Sequence, residues 1–433
     1  MTGRKGRRRR SQPAGVGLAL AGGGPEGAVY ELGALRALDE ALEGIDLNAL
    51  DAYVGVSAGA FVASCLANGL TTAQMCRALV KSEPGEHPFV PGTFFTPAVG
   101  ELARRGASIP RHLADAVSRY LRNPGDLSLV EALTGVSRAL PVAVLDNEPV
   151  REYVASIFAR EGRTDDFRRL PHRLFVIAAD LCSGQAVRFG SAGFDDVPIS
   201  RAVQASTALP GLYPPVEIGG RFYVDGVLLK TLHGSVALEE GVELLIAVNP
   251  IVPVDTRGLA RAPRGGTPAL IEGGLPTVLS QTFRTLIHSR LTLGLRSYEA
   301  RFDGADVVLF EPPRDDYELF FSNIFSFASR RSVCDRAYRS TLADLRRRRH
   351  ALEPLFARHG IRMRSEVLDG PRRSVWASVG LEAGPLPTPA VAALDAALDR
   401  LESALRDGGR LGPALRRPRS GRSAQREDDG EQE

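Results

Sequence analysis

Apolar residues follow two different periods along the first 70 residues of the chain. Over residues 16–20 they alternate with small residues, which predicts a buried strand that leads into a glycine-rich loop at residues 22–27. Over residues 28–42 they recur at helical spacing, and residues 52–56 and 58–66 repeat the strand and helix patterns. This alternation favours a mainly parallel sheet covered by helices.

The rest of the chain extends the same mixed pattern. Residues 82–97 are rich in Pro, Gly and Phe and predict a loop, and interrupted helical patterns follow up to residue 161. We therefore expect an α/β fold with a C-terminal helical extension. Further predicted strands cover 174–179, 216–218, 221–224, 242–248 and 306–310, and further predicted helices cover 199–209, 277–302 and most of the arginine-rich stretch from Pro312.

Shifts in composition divide the chain into four regions. Residues 1–14 form a basic tail that we expect to be disordered, and residues 15–311 form the α/β domain. Residues 312–370 are predicted to be the helical extension. Residues 371–433 are predicted to contain a linker, one short helix near 390–406 and a polar tail.

Composition then narrows the class of protein. The 433 residues have a mean hydropathy of −0.08 and 24% charged residues, which excludes a largely disordered chain, collagen and a polytopic membrane protein. The cysteines stand far apart without a CxxC motif, so they indicate neither a disulfide framework nor a zinc site, and they suit a reducing compartment. We expect a cytoplasmic protein, with peripheral membrane contact as a further option. The cysteines are Cys65, Cys76, Cys182 and Cys334.

The positive charge is concentrated at the start of the chain. Residues 1–14 carry six basic residues and no acid, and subtracting them from the net charge of +3 leaves −3 for the remainder. We interpret the tail as a solvated segment, with contact to anionic lipid or nucleic acid as the alternative. A basic start before an apolar stretch also resembles a signal peptide. Because that stretch is short and runs into Gly22, we interpret it as a core strand.

The glycine loop, residues 22–27, allows two interpretations. As a GxGxxG sequence between a strand and a helix it is compatible with dinucleotide binding. That fold needs an acid at the end of the second strand, whereas Asp51 stands at its start. The other interpretation is an oxyanion hole, because glycines leave backbone N–H groups accessible beside the positive end of a helix. Four glycines in six positions favour the oxyanion hole over a turn that only packs the helix.

A second motif, Gly55-Val56-Ser57-Ala58-Gly59, fits the G-x-S-x-G pattern of a nucleophile elbow. Such a serine stands on a sharp turn between a strand and a helix, and its neighbours two residues away are small because the two elements nearly touch. The predicted strand before Ser57 and the predicted helix after it supply that context. The alternative is a serine that caps a helix.

A nucleophilic serine needs a base. Asp225, in the sequence Tyr223-Val224-Asp225-Gly226, ends a predicted hairpin strand, where a partly shielded carboxylate can accept the serine proton. The dipeptide taken alone is more typical of an ordinary Asp-Gly turn. His233 is the second candidate, although a histidine in such a position often caps a helix.

Three separated motifs therefore occur in order: the glycine loop, the Ser57 motif and Asp225-Gly226. Together they resemble the patatin-like phospholipase family over about residues 15–310. The stretch from Ala205 to Pro215 is also similar to the family's segment before the aspartate strand.

The resemblance implies a three-layer α/β/α fold in which residues 15–311 are the catalytic domain, and hydrolysis of lipid acyl esters. It makes Ser57 the nucleophile and Asp225 the general base, with Gly22, Gly23, Gly24 and Gly27 around the oxyanion hole. Gly55, Gly59 and Gly226 complete the motifs. The implied partners are a lipid acyl ester substrate and an anionic membrane surface. No cofactor, metal or nucleic acid is expected.

Two positions depart from the family pattern. Glu26 stands where Arg or Lys is usual, and Val227 stands where Ala or Gly is usual. Neither change removes a catalytic group, but Glu26 leaves the substrate class open. It also motivates an alternative function, a catalytically silent lipid-binding or scaffold protein on the same fold. For membrane contact the sequence offers the basic tail and the aromatic stretch at 320–327, for which a helix packed over the catalytic domain is the alternative. Phe residues at 89, 94 and 95 are candidates to line an acyl groove or to fill the core.

Overall fold

An eight-stranded mixed sheet forms the centre of the structure, a computed structural model that describes residues 15–79, 96–99, 142–257, 270–271, 274–316, 327–370 and 373–381. The strands are β1 (Val16–Leu20), β2 (Leu42–Glu43), β3 (Ala52–Val56), β4 (Arg173–Asp180), β5 (Ala186–Phe189), β6 (Val216–Ile218), β7 (Arg221–Asp225), β8 (Leu244–Val248), β9 (Asp306–Phe310) and β10 (Arg362–Met363). All strands except β2 and β10 belong to this sheet; those two form a separate antiparallel pair.

Helices cover both faces of the sheet. They are α1 (Gly24–Ala41), α2 (Ala58–Ala67), α3 (Thr72–Ala78), α4 (Glu148–Phe158), α5 (Ile199–Ser206), α6 (Ser235–Glu239), α7 (Gly274–Arg301), α8 (Phe327–Arg347), α9 (Arg349–Arg358), α10 (Ser365–Leu368) and α11 (Val375–Ser378). Two short 3-10 helices cover Phe167–Arg169 and Gly226–Leu228.

The strand order across the sheet is β6-β7-β4-β3-β1-β8-β9, and β5 pairs with β4. Strands β4, β3, β1, β8 and β9 run parallel, whereas β5 and β7 are antiparallel to β4 and β6 is antiparallel to β7. The strand order changes direction at β1, because the chain continues first to β3 on one side and later to β8 on the other. In open α/β sheets, ligands bind at such a switch point, outside the carboxyl ends of the strands.

Side-chain alternation along β1 divides the core between the two faces. Leu18 and Leu20 pack among the helices α1, α2 and α5, while Ala19 and Ala21 face the side covered by α6 and α7. The result is a three-layer α/β/α fold with a mostly parallel sheet and C-terminal helices, as predicted.

The C-terminal helix α8 packs closely along α1. At Gly33 of α1 a Cβ atom would stand 2.2 Å from the carbonyl oxygen of Cys334, so only glycine allows this approach. Further along, Val375 and Trp376 are buried. These elements lie in a first compact unit that ends at Leu381, while the second unit, Glu382–Glu433, lies outside the described residues. The predicted domain boundaries at 311 and 370 stay predictions.

Most predicted elements occur within one or two residues of their expected bounds, although the helix expected over 199–209 ends at Ser206. The short strands β2, β5 and β10 were not predicted, because their pairing is set by contacts distant in sequence rather than by an alternating pattern.

The loop at 82–95, the aromatic residues at 320–325 and the helix near 390–406 lie outside the described residues. Within the described parts of the chain, no helix is both long and apolar enough to cross a membrane.

Candidate active site

The three sequence motifs meet at one edge of the sheet. The glycine loop follows the carboxyl end of β1, and Ser57 follows the carboxyl end of β3, its parallel neighbour. Asp225 arrives from the opposite direction on β7, where it pairs with Ala178 of β4. Since Ile177 of β4 pairs with Val56 of β3, the sheet register brings Asp225 level with Ser57.

The backbone of Ser57 is strained. Its φ of 53° and ψ of −122° place it in a region that L residues rarely occupy, and it is the only non-glycine residue with positive φ among the described residues. Strain of this kind costs of order 1–3 kcal/mol and persists only where surrounding contacts hold it. Here the Ser57 N–H donates to Ser206 Oγ at 2.8 Å, and the Ser206 hydroxyl donates to the Ile177 carbonyl at 2.6 Å. Ser206 therefore fixes the strained turn to β4.

Glycines make this turn sterically feasible. A Cβ atom at Gly55 would stand 2.4 Å from the Cα of Ala60, and one at Gly59 would stand 2.6 Å from the carbonyl oxygen of Leu20. Both distances are too short for a side chain, so α2 can approach β3 and β1 this closely only with glycine at these positions.

The carboxylate of Asp225 is buried and hydrogen-bonded. It accepts a hydrogen bond from the Ser57 hydroxyl, and its Oδ1 accepts one from the Val227 N–H at 2.9 Å. Burial raises the pKa of Asp225 to about 7, and the hydrogen bonds from Val227 and Ser57 oppose that rise. A carboxylate with such a pKa is a stronger base than an ordinary aspartate at neutral pH.

The glycine loop presents backbone N–H groups to the same space. Gly23 and Gly24 line the cavity above Ser57, and their N–H groups donate to no carbonyl of the described residues. Gly24 has a φ of +62°, which favours glycine. By contrast, the Gly22 N–H donates to the Thr231 carbonyl at 3.3 Å and the Gly27 N–H donates to the Gly23 carbonyl at 3.0 Å. Those two amide groups are thus engaged within the fold.

Gly22 and Gly27 instead provide space. A Cβ atom at Gly22 would stand 3.2 Å from the Cβ of Ser57 and 3.0 Å from Cγ2 of Val227, and one at Gly27 would stand 3.1 Å from Cγ of Pro250. Val227, one of the two unusual positions, therefore packs directly against the loop. Gly226 is similarly confined, because its Cβ would stand 2.6 Å from the Ile177 carbonyl oxygen.

A mostly apolar cavity of about 620 Å³ opens above the serine and the aspartate. A cavity of this size accommodates a drug-sized or lipid-like ligand. Ser57 and Asp225 line it, as do three cations: Lys230 and Arg290 are exposed and define its entrance, whereas Arg284 is partly buried. The apolar walls are formed by Ala28, Phe61, Val150, Val203, Leu209, Leu212, Val227, Leu228, Ile251, Phe283, Leu286 and Ile287.

Glu26, the other unusual position, interacts electrostatically with a cation on α7. Burial lowers the pKa of Arg284 on α7, and the negative charge of Glu26 opposes that effect. The Arg284 guanidinium also donates to the Val252 carbonyl at 3.4 Å. The charges of Glu26 and Arg284 thus partly balance each other.

The second candidate base does not reach the cavity. His233 is buried, and burial together with the charge of Lys230 lowers its pKa to about 4, so it is neutral at physiological pH. It is hydrogen-bonded to the backbone of Gly226, and it is not among the residues that line the cavity. The structure thus brings Asp225, and not His233, to Ser57.

The dinucleotide interpretation of the glycine loop is also disfavoured by position. Asp51 precedes β3 and its Oδ2 accepts a hydrogen bond from the Val16 N–H at 2.8 Å. Val16 begins β1, so this carboxylate lies at the amino ends of the strands, away from the glycine loop. Among the described residues, no group of three or more His, Cys, Asp and Glu side chains is arranged to hold a metal ion.

The sequence did not reveal two residues of this site. Ser206 lies in the segment before the aspartate strand, but nothing in its pattern indicates a contact with Ser57. Arg284 stands in a long predicted helix, and its position opposite Glu26 depends on how that helix packs. The one signal in the sequence is Glu26 itself, because a carboxylate in place of the usual cation indicates a compensating positive charge elsewhere in the fold.

Comparison with known proteins gives one family match and several partial relatives. Residues 18–232 match the family model of patatin-like phospholipases. An uncharacterized NTE family protein of Mycobacterium bovis, Mb2594, is 34% identical over 107 residues, which cover 22% of this chain and 17% of that protein. Another, Rv1063c of Mycobacterium tuberculosis, is 33% identical over 81 residues, which cover 19% of this chain and 21% of the relative. The chain thus matches about a fifth of the length of these relatives.

Two solved structures are also similar. VipD from Legionella pneumophila aligns over 92% of this chain and 78% of its own, at 14% identity and a TM-score of 0.35. The type III effector ExoU aligns over 93% of this chain and 66% of its own, at 14% identity and a TM-score of 0.34. The family match covers the glycine loop, Ser57 and Asp225 together. Residues 18–232 of this chain therefore belong to the patatin-like phospholipase family.

Proposed function

We propose that the protein is a lipid acyl hydrolase of the phospholipase A or lysophospholipase type, which cleaves carboxylic esters through a Ser57–Asp225 dyad. The hydrogen bond between the Ser57 hydroxyl and the buried Asp225 carboxylate carries this proposal. It joins a strained serine to a base whose pKa of about 7 suits proton transfer at neutral pH. The family match supports lipid hydrolysis at the level of the family.

The geometry suggests a two-step mechanism. Asp225 accepts the Ser57 proton as Oγ attacks the ester carbonyl, and the N–H groups of Gly23 and Gly24 stabilise the oxyanion that forms. In other hydrolases one such donor contributes about 3 kcal/mol. The proton on Asp225 then passes to the departing alcohol, and the acyl group stays on Ser57. Water that gives its proton to Asp225 hydrolyses the acyl-enzyme and restores both residues.

The form of the cavity supports a substrate with a long apolar chain. Its walls are mostly apolar, and the exposed cations Lys230 and Arg290 stand at the entrance. An acyl chain would lie along the walls, with the ester at Ser57 and the polar headgroup near Arg290 and Lys230. A substrate with a small acyl group would leave most of the apolar surface uncovered and bind more weakly.

Hydrolysis of p-nitrophenyl butyrate and of a lysophospholipid by the full chain tests the proposal. We expect Ser57→Ala to lower kcat/KM by roughly 10⁴-fold or more, as loss of a nucleophile does in other hydrolases. Ser64→Ala is the matched control, because Ser64 is buried on the same helix, donates to the Ala60 carbonyl at 2.7 Å and does not line the cavity. Equal activity in the wild type and Ser57→Ala would refute the proposal.

The same assay addresses the second candidate function. Glu26 in place of the usual cation is the feature that favours a catalytically silent lipid-binding or scaffold protein. Wild-type protein that binds a lipid in the cavity but hydrolyses neither ester would support this alternative. A cytoplasmic location remains a prediction, which fractionation of cells that express the full chain would test.

A further inference from the structure

The outward face of α7 is apolar, where a surface helix is normally polar. We call its six large exposed side chains the apolar stripe; they are Leu275, Val278, Leu279, Phe283, Leu286 and Leu293. At 100° per residue they fall within a sector about 140° wide. Leu275 is 70% exposed and Leu293 is 64% exposed, so most of this surface is open to solvent.

Polar contacts on the inward face hold α7 in this orientation. The Gln281 side chain accepts from the Val254 N–H at 3.1 Å and donates to the Val254 carbonyl at 2.8 Å. One turn further, Arg284 donates to the Val252 carbonyl, and His288 lies 3.6 Å from the Glu311 carboxylate. The helix therefore cannot turn its apolar side inward without breaking these contacts, and the stripe stays on the outside.

The stripe is continuous with the entrance of the cavity above Ser57. Phe283 and Leu286 belong to both, since each lines the cavity and is about half exposed. On the other side of the entrance, Leu209 and Leu228 line the cavity and are also partly exposed. Arg290 bridges the two sides by donating to the Leu228 carbonyl at 3.1 Å. The entrance is thus surrounded by apolar surface.

The charged groups around this surface are positive. Arg290 and Arg296 are exposed on the outward side of α7, and Lys230 stands at the entrance. Thr282 and Ser289 are exposed at further outward positions. A partner for this face must therefore accept apolar side chains and also supply negative charge.

We propose that the apolar stripe docks onto the surface of an anionic lipid bilayer. An amphipathic helix binds such an interface with its apolar side chains among the acyl chains and its cations at the headgroups. The stripe, Leu209 and Leu228 would all enter the interface, so that the cavity opens toward the ester groups of the lipid. The identity of the substrate rests on the function proposed above, whereas the docking itself needs no turnover.

The test measures binding of the full chain carrying Ser57→Ala to vesicles of phosphatidylcholine with and without phosphatidylglycerol. We expect the added pair Leu275→Ser and Leu279→Ser to weaken binding about tenfold or more, because two leucine side chains are then no longer transferred from water into the bilayer. Neither residue lines the cavity. The control pair is Leu181→Ser and Val144→Ser, two side chains of similar exposure outside α7, which should leave binding unchanged. Arg296→Gln should weaken binding only to the vesicles that contain phosphatidylglycerol.

Three results would overturn docking. The first is that the full chain carrying Ser57→Ala does not bind the vesicles. The others are that the α7 pair binds as tightly as that chain, or that the control pair loses as much binding as the α7 pair. Sedimentation velocity adds a fourth, since a dimer that the α7 substitutions convert to a monomer would make the stripe a subunit interface. In the active enzyme the α7 pair should hydrolyse dissolved p-nitrophenyl butyrate at the wild-type rate. Vesicle binding through the stripe without any ester hydrolysis would sustain docking and refute the proposed function.

Discussion

The Ser57 hydroxyl donates a hydrogen bond to the buried carboxylate of Asp225. The two residues are 168 positions apart in sequence, and the pairing of β7 with β4 brings them together. Burial disfavours the charged form of this carboxylate, while the hydrogen bond from Ser57 favours the charged form. The base of the proposed dyad thus titrates close to neutrality. Its protonation state links catalysis and stability to pH.

Activity should rise with pH through neutrality. Asp225 accepts a proton only when it is charged, and its pKa of about 7 means that the charged fraction increases between about pH 6 and pH 8. We expect log kcat/KM for a dissolved ester to increase with a slope near 1 below that pKa and to level off above it. A profile that is flat between pH 5 and pH 8 would contradict the assignment of Asp225 as base.

Asp225→Asn should stabilise the fold above neutral pH while it removes activity. The folded-state pKa is raised from 3.8 to about 7, so between these values the folded protein holds a proton that the unfolded chain releases. The free energy of unfolding therefore falls as pH rises through this range. At pH values above it, the total loss is on the order of 4 kcal/mol.

Asparagine carries no charge to bury and avoids that cost. Urea unfolding should show Asp225→Asn to be more stable than the wild type at pH 8, with a smaller difference at pH 5. A difference independent of pH, or a less stable variant at pH 8, would be inconsistent with a desolvated carboxylate.

Ser206 should act as a positioning residue. Its side chain accepts from the Ser57 N–H and donates to the Ile177 carbonyl, so it holds the strained turn without lining the cavity. We expect Ser206→Ala to lower kcat by about tenfold, because a slight displacement of the nucleophile is costly, and to leave KM nearly unchanged. A change in KM with constant kcat would instead indicate a role in substrate binding. Ser200→Ala, on the same helix, is the control.

Glu26 and Arg284 should be energetically coupled. Glu26→Lys would place a second cation near a guanidinium whose pKa burial already lowers. We expect this variant to be destabilised by about 1 kcal/mol, and Arg284→Gln to relieve the loss when the two are combined. Unfolding midpoints of the two single variants and the double variant measure the coupling. Additive effects would show that the two side chains act independently.

The parts of this site that are encoded by neighbouring residues can be predicted from the sequence. The Ser57 turn needs glycine two residues to each side, and the loop after β1 needs several glycines in six positions, so both leave a pattern in the sequence. Asp225 leaves a much weaker pattern, since an Asp-Gly dipeptide is common, and the family resemblance was needed to favour it over His233.

The remaining features depend on packing between distant segments. The contact of Ser206 with Ser57 and the position of Arg284 opposite Glu26 have no local signature. The same holds for α7, whose periodicity predicts an amphipathic helix but not which side faces the protein. The second half of α7 packs Leu291 and Tyr298 into the core. Nearer its start, Gln281 makes the inward hydrogen bonds and large apolar side chains face outward.

The most direct test of the proposed dyad is the covalent reaction of a fluorophosphonate with the full chain, followed by peptide mass spectrometry. The wild type should gain one adduct, located on Ser57, at a rate that rises with pH through about 7. Asp225→Asn should react far more slowly at every pH, and Ser57→Ala should not react. An adduct on another residue, or undiminished labelling of Ser57 in Asp225→Asn, would contradict the Ser57–Asp225 mechanism.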